Sequence, residues 1–224
     1  MPILQEQRDL WLFEFKLHGI IHLPGLLPED LADAMDRQFQ EFLSMEVELD
    51  ERGQAMTGRG ERRYALPLGG VLDTAGGPMN DPRARHPDVV EELVTAILGR
   101  WRFSKLIVEC PCPGSDYMGW HIDAETVPPE SQVHPKPTRV LKLQIALVDV
   151  DDACGPMEII PGSHRMYYTE GDAALRNLPR SYGQRLTMKR GDAFLRDGEL
   201  IHRGTPNRSS RPRPLYSQIY KIVD

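Results

Sequence analysis

A histidine and an aspartate two residues apart are the side chains in this sequence whose types and spacing most clearly suggest chemistry. His121 and Asp123 stand in the segment GWHIDAE. In an extended segment, residues i and i+2 point to the same side, so one imidazole and one carboxylate are presented together. Such a pair can supply two ligands of a metal ion. Because His-x-Asp also occurs by chance, the prediction depends on a second histidine further along the chain.

Three histidines downstream of this pair are candidates for the third ligand. His134 stands in a proline-rich segment, and His164 follows Pro-Gly-Ser in an expected turn. His202 lies in GELIHRG, a short apolar run ending in glycine that is typical of a late barrel strand. We therefore predict that His121, Asp123 and His202 form one metal site.

The ligand types indicate which metal this site would bind. Two histidines and one carboxylate with open coordination positions are the signature of non-haem iron(II) oxygenases. Catalytic zinc accepts similar ligands, but the sequence has no His-Glu-x-x-His motif and no second acid placed as a base. The residues after His202 favour iron with a 2-oxo acid. No protein acid or base is required, and none is assigned.

Short β-rich runs, separated by Gly, Pro and Asp, must position these ligands. About seven strands are expected after residue 100, which indicates a β-barrel or sandwich as the main body. Two amphipathic helices are expected before them, one from Pro28 to about residue 44 and one from His86–Asp88 to Gly99. Residues 17–27 are expected to form a strand and turn, and 50–85 a long loop over the site.

Composition limits the class of protein. The apolar fraction of 40% is enough for a sizeable core, and no run approaches the ~20 apolar residues that span a bilayer. A net charge of −6 argues against a nucleic-acid partner, although ten Lys or Arg residues lie between Arg176 and Arg213. No signal-peptide pattern is seen, and Cys110, Cys112 and Cys154 are expected to be reduced thiols. We expect one domain, residues 1–224, in the cytoplasm.

Three further motifs resemble the phytanoyl-CoA dioxygenase family. The segment HRGTPNRSSRPR, from His202 to Arg213, looks like the family's C-terminal motif. CGPMEIIPGSHR at 154–165 is similar to its Gly-Pro and Pro-Gly-Ser-His turn, and GIIHLPGLLPEDL at 19–31 to its first strand and helix. The resemblance covers residues 10–222. It implies a mainly β (α+β) fold, a double-stranded β-helix or cupin-like jelly-roll barrel with flanking N-terminal helices.

The resemblance also implies iron(II), 2-oxoglutarate and O₂. Arg213 matches the arginine that pairs with the distal carboxylate of 2-oxoglutarate, and Arg211 is the alternative two residues earlier. Gln144 falls where the family places a strand residue beside the oxo acid. Thr205 could hydrogen-bond a carboxylate, although relatives often carry the hydroxyl at the position of Gly204.

The expected reaction is hydroxylation of an unactivated C–H bond, with release of succinate and CO₂. Halogenation is not expected, because related halogenases replace the carboxylate that is present here as Asp123. Two other readings remain open. One is a cupin-like metal dioxygenase or isomerase that needs no 2-oxo acid, and the other is a non-catalytic ligand-binding barrel.

The expected substrate is a free small molecule, since a chain of 224 residues leaves little length for a CoA-binding surface. Candidate substrate contacts are Trp120, Arg63 and Tyr64, together with the segments 55–80 and 125–138. Neither nucleic acid nor membrane is expected as a partner. The chain is expected to be a monomer or homodimer.

Overall fold

The computed structural model describes residues 4–51, 60–70, 76–123, 131–167 and 178–223. In these ranges the α-helices are α1 (Gln5–His18), α2 (Glu29–Glu51), α3 (Pro82–Arg85) and α4 (Asp88–Leu98). The first strands are β1 (Ile20–Leu23), β2 (Arg63–Leu66), β3 (Trp101–Pro111), β4 (Val140–Ala146) and β5 (Met157–Ile159). The remaining strands are β6 (Gln184–Leu186), β7 (Ala193–Asp197), β8 (His202–Gly204) and β9 (Leu215–Ile222).

Two antiparallel sheets form the body of the protein. The larger has six strands in the order β1-β7-β4-β9-β3-β2, and the smaller has three in the order β6-β5-β8. An isolated bridge between His121 and His202 adds one more contact beside β8. Most strands that are neighbours in a sheet, such as β7 and β4, are not consecutive along the chain, as in a double-stranded β-helix. The prediction of a mainly β fold with N-terminal helices is confirmed.

Side chains on β4 alternate between two environments. Leu141, Leu143 and Ile145 are fully buried in the core that the large sheet shares with the helices. Lys142 and Gln144 therefore point to the opposite face, between the two sheets. A second apolar cluster, which includes Met157 and Phe194, fills part of that interior. The polar side chains beside it surround the site described below.

The helices cover the outer face of the large sheet. Leu31, Met35, Phe39 and Leu43 of α2 recur at helical spacing and are buried, as the apolar pattern predicted. The helix continues to Glu51, beyond the expected end near residue 44. The strand predicted within 17–27 is β1, and the predicted second helix is α4. No helix in the described ranges is long and apolar enough to cross a membrane.

Two segments differ from the sequence-based expectation. Helix α1 was not predicted, because Leu10 and Phe13 on it stay exposed and the helix lacks a clear apolar stripe. Part of 50–85, predicted as a long loop, forms β2 and α3. Pairing with the long strand β3 supplies hydrogen bonds that the short sequence RYAL does not signal by itself. Residues 52–59 and 71–75 of that stretch lie outside the described ranges.

Candidate active site

The fold brings His121, Asp123 and His202 together. One ligand atom from each residue lies within 4.8 Å of the others. The backbones of His121 and His202 exchange two hydrogen bonds of 3.0 Å, which sets their ring centroids 4.3 Å apart. The amide of Asp123 donates to the carbonyl oxygen of Gly198 at 2.8 Å. Backbone pairing between 121–123 and the β8 region thus positions all three side chains.

Backbone carbonyls determine which nitrogen of each imidazole is free. Nδ1 of His121 lies 2.9 Å from the carbonyl oxygen of Gly119, and Nδ1 of His202 lies 2.8 Å from that of Leu200. Because a carbonyl oxygen only accepts, each Nδ1 carries the proton and each Nε2 keeps its lone pair. Burial, followed by the charge of Arg196, holds the pKa of His202 well below its usual 6.5. The imidazole is neutral, as a metal ligand must be.

Two cations hold the carboxylate of Asp123. Nη2 of Arg196 donates to Oδ2, and Nζ of Lys142 lies 3.3 Å from the same oxygen. Burial by itself would raise the pKa of Asp123, but the charges of Lys142 and Arg196 keep it well below 3.8. The carboxylate is therefore ionised. Two neutral imidazole nitrogens and one carboxylate oxygen are a donor set that fits iron(II).

A cavity opens beside the three ligands, and together with its solvent-open mouth it encloses about 590 Å³ of empty space. Its other polar lining residues are Arg63, Tyr64, Glu109, Gln144, Arg196 and Arg213. A smaller pocket of about 210 Å³, lined mainly by apolar side chains such as Leu186 and Phe194, also touches Gln144 and Arg213.

Arg213 and Arg211, the two candidates for carboxylate binding, occupy different environments. Arg213 is 4% exposed and lines the cavity, with Nη2 donating to the carbonyl oxygen of Gly155 at 2.8 Å. Its buried Nε has no hydrogen-bond partner among the described residues. Arg211 is exposed and donates to the carbonyl oxygen of Asp149 at 3.1 Å. A buried guanidinium with an unused nitrogen fits a carboxylate ligand, and here that guanidinium belongs to Arg213.

Gln144 and Thr205, predicted to lie beside the oxo acid, are placed differently from each other. Gln144 lines the cavity, but its amide nitrogen donates to Glu109 at 2.9 Å and its oxygen accepts from Arg196 at 3.0 Å. Thr205 is buried, is not among the lining residues, and donates its hydroxyl proton to the carbonyl oxygen of Pro156 at 2.6 Å. The position of Thr205 gives no support to the predicted contact with a carboxylate.

Two of the three predicted substrate contacts lie on the cavity wall. Arg63 lines it and is 6% exposed, and burial, followed by the charge of Arg213, lowers the pKa of Arg63 to about 10. Tyr64 lines it as well, and its hydroxyl donates to Asp50 at 2.7 Å.

Trp120 lies elsewhere than expected. It packs against Ile201 and stacks on the guanidinium of Arg203 at 4.2 Å, and it does not line the cavity. Because Trp120 directly precedes His121 in an extended segment, its side chain points away from the metal ligands. The position of Trp120 therefore gives no support to the prediction that it forms a wall of the pocket.

Three charged residues beside the ligands were missed in the sequence: Glu109, Lys142 and Arg196. Nζ of Lys142 lies 2.9 Å from Oε1 of Glu109, and Arg196 is fully buried. The signal was present in the sequence. Each charge interrupts an otherwise apolar strand, in LIVEC, VLKLQIAL and AFLRD, and a charge in such a run faces either solvent or a buried partner.

This fold and site define the class: a double-stranded β-helix that presents two histidines and a carboxylate is the arrangement of non-haem iron oxygenases. The model of the phytanoyl-CoA dioxygenase (PhyH) family matches residues 15–215, and the chain belongs to this family. The expected enzyme class, with iron and 2-oxoglutarate as cofactor and co-substrate, is confirmed by this membership together with the ligand cluster.

Several solved structures are similar to this chain. The non-heme alpha ketoglutarate dependent epimerase SnoN from nogalamycin biosynthesis has 22% identity and a TM-score of 0.66, covering 97% of this chain and 84% of that one. The carbocyclase SnoK from the same biosynthesis has 19% identity and a TM-score of 0.67, with coverage of 99% and 85%. HygX from Streptomyces hygroscopicus, with nickel, 2-oxoglutarate and hygromycin B bound, has 14% identity and a TM-score of 0.68, with coverage of 99% and 88%. These likenesses show the shared fold.

Proposed function

We propose that this chain hydroxylates an unactivated C–H bond of a small molecule and converts 2-oxoglutarate to succinate and CO₂. His121, Asp123 and His202 would hold the iron, and Arg213 would bind the distal carboxylate of 2-oxoglutarate. One observation carries the proposal. The three ligands line one cavity together with Arg213, a buried arginine whose Nε has no hydrogen-bond partner among the described residues.

When bound, iron(II) with 2-oxoglutarate and O₂ supplies the oxidising power for C–H cleavage. The chain supplies binding and orientation. Because the carbonyls of Gly119 and Leu200 engage both Nδ1 atoms, the Nε2 atoms would be the metal ligands, and three protein ligands would leave positions for the co-substrates. The cationic side chain of Arg213 draws the distal carboxylate to its own wall of the cavity.

Substrate contacts are proposed for Arg63 and Tyr64. Arg63 places a third buried positive charge on the cavity wall, beside those of Arg196 and Arg213, and the hydrogen bond from Tyr64 to Asp50 holds the phenol ring in place. A small-molecule substrate is supported by the cavity that opens beside the three metal ligands. It is also supported by the HygX structure, which has the same fold and binds hygromycin B.

The test is succinate formation by protein purified without oxygen and then given iron(II), 2-oxoglutarate and O₂. We expect slow turnover without substrate, faster turnover with a suitable small molecule, and no turnover in His121→Ala. His86→Ala, which removes an exposed histidine next to α4, is the matched control and should keep wild-type activity. A product one oxygen atom heavier than the substrate distinguishes hydroxylation from epimerisation or ring closure.

Two other results would favour the alternative readings. Metal binding without 2-oxoglutarate binding or succinate formation would indicate a cupin-like enzyme. Absence of metal binding would indicate a non-catalytic barrel.

A further inference from the structure

Arg196 contacts two of the three proposed metal ligands. Its Nη2 donates to Oδ2 of Asp123 and lies 3.1 Å from Nε2 of His202. Because Nδ1 of His202 is engaged by the carbonyl of Leu200, Nε2 is the atom with the lone pair. One lone pair cannot accept a hydrogen bond from Arg196 and coordinate a metal ion at the same time. Arg196 and a metal ion therefore compete for Nε2.

The other nitrogens of Arg196 are anchored away from the ligands. Nε donates to Oε1 of Gln144 at 3.0 Å, and Nη1 donates to the carbonyl oxygen of Asp197 at 3.3 Å. The side chain is fully buried, so no water replaces a lost contact easily. Only Nη2 would have to leave His202 when a metal binds, and the remaining contacts can persist.

The strand register places two cations next to each other at this site. Lys142 and Arg196 lie directly opposite each other on β4 and β7, and like charges in such a pair destabilise a sheet. Both contact Oδ2 of Asp123, and Lys142 also contacts Glu109. Two buried cations thus balance the charges of two partly exposed carboxylates, Glu109 and Asp123. The ligands are held in place by charge that the chain itself provides.

We propose that Arg196 is a positioning residue that acts as the resident cation of the site. It holds Asp123 and His202 in position before a metal ion binds, and it gives up Nε2 of His202 when one does. Because Arg196 competes with the metal ion for Nε2 of His202, this positioning lowers the affinity of the site for the metal. This inference rests on the proposed metal ligands and is independent of the reaction that follows.

The experiment compares Arg196→Met with Lys142→Met in protein stripped by a chelator. Both variants remove one positive charge next to Asp123, but only Arg196→Met frees Nε2 of His202. Manganese(II) alone is the probe, and the EPR signal of the free aqua ion measures binding. We expect the Kd of Arg196→Met to fall about tenfold or more below wild type, because the lost contact is charge-assisted. Lys142→Met should gain clearly less.

Equal gains in the two variants would overturn the proposal, since charge removal would then explain both. Unchanged or weaker manganese binding in Arg196→Met would overturn it too. Such a result is expected of a purely structural arginine, whereas removal of a competing contact must raise the affinity for manganese. Circular dichroism checks folding. If Arg196→Met does not fold, Arg196→Lys keeps the charge on a shorter side chain, and the same gain over Lys142→Met is expected.

The succinate assay separates this inference from the proposed function. If Arg196→Met binds manganese more tightly and the wild-type protein forms no succinate, the role of Arg196 is supported and the oxygenase proposal is contradicted. Absence of manganese binding in every variant contradicts both.

Discussion

At the scale of single residues, one or two neighbours determine the protonation state of each metal-ligand candidate. The carbonyl of Leu200 determines the free nitrogen of His202, and Lys142 and Arg196 keep Asp123 ionised. Arg213 differs from these, because its buried Nε has no partner among the described residues. An unsatisfied buried donor of this kind costs free energy, which a bound carboxylate would recover.

Replacing Arg213 with Gln should weaken 2-oxoglutarate binding by about 10- to 100-fold, because a charge-assisted hydrogen bond contributes ~1.5–3 kcal/mol. Isothermal titration of the metal-loaded protein with 2-oxoglutarate measures this. Arg211→Gln removes an exposed arginine two residues away and is the matched control, with affinity expected at the wild-type level. Similar losses in both variants would contradict the assignment to Arg213.

At the scale of elements, the short strand β8 depends on an ion pair with β5. Glu158 stands opposite Arg203 in the register, and Nε of Arg203 donates to Oε2 at 2.7 Å. The guanidinium also stacks on the rings of Tyr117 and Trp120, at 4.6 and 4.2 Å. Three residues make few ladder hydrogen bonds, so these contacts hold the strand that begins with His202.

Removing the carboxylate in Glu158→Ala should lower the free energy of unfolding by about 3–5 kcal/mol, because it leaves Arg203 buried without its ionic partner. Urea denaturation of the chelator-treated protein measures the change. Asp152→Ala is the matched control, since Asp152 is 71% exposed where it pairs with Arg185. Its removal should leave stability nearly unchanged. If Glu158→Ala is as stable as Asp152→Ala, the ion pair does not secure β8.

At the scale of the whole molecule, the Pro-Gly-Ser-His turn joins the N-terminal helix to the barrel. The amide of Gly162 donates to the carbonyl oxygen of His18 at 3.0 Å. The ring of His164 lies 6.0 Å from that of Phe15 and packs against Gly19, which adopts φ 77° at the end of α1. Burial, followed by the charge of Arg165, lowers the pKa of His164 to about 4. The folded protein therefore favours the neutral imidazole.

This shift makes stability depend on pH. Unfolding lets His164 regain its usual pKa of 6.5, so its contribution is full above pH 6.5 and is lost as pH falls toward 4. His164→Gln, which does not titrate, should lose less unfolding free energy than wild type between pH 7 and about pH 5. Denaturation curves at both pH values, on metal-stripped protein, measure the difference. Equal losses would mean that His164 is not held neutral by the fold.

The sequence by itself indicated the three candidate metal ligands and determined the general fold. His121 and Asp123 share one side of an extended segment whatever surrounds them, and His202 lies in a short apolar run that is typical of a late barrel strand. The alternating and helical apolar patterns likewise predicted β3 to β9 and the helices α2 and α4. These features depend on local geometry, which spacing along the chain can express.

The tertiary structure alone decided which nearby side chains face the site. Arg213 and Arg211 are both arginines and lie two residues apart, yet Arg213 is buried on the cavity wall and Arg211 is exposed. Trp120 was placed by strand pairing away from the cavity, and Lys142 and Arg196 meet only through the register of β4 with β7. Such contacts join residues far apart in sequence, so their energies depend on burial and pairing that no local pattern contains.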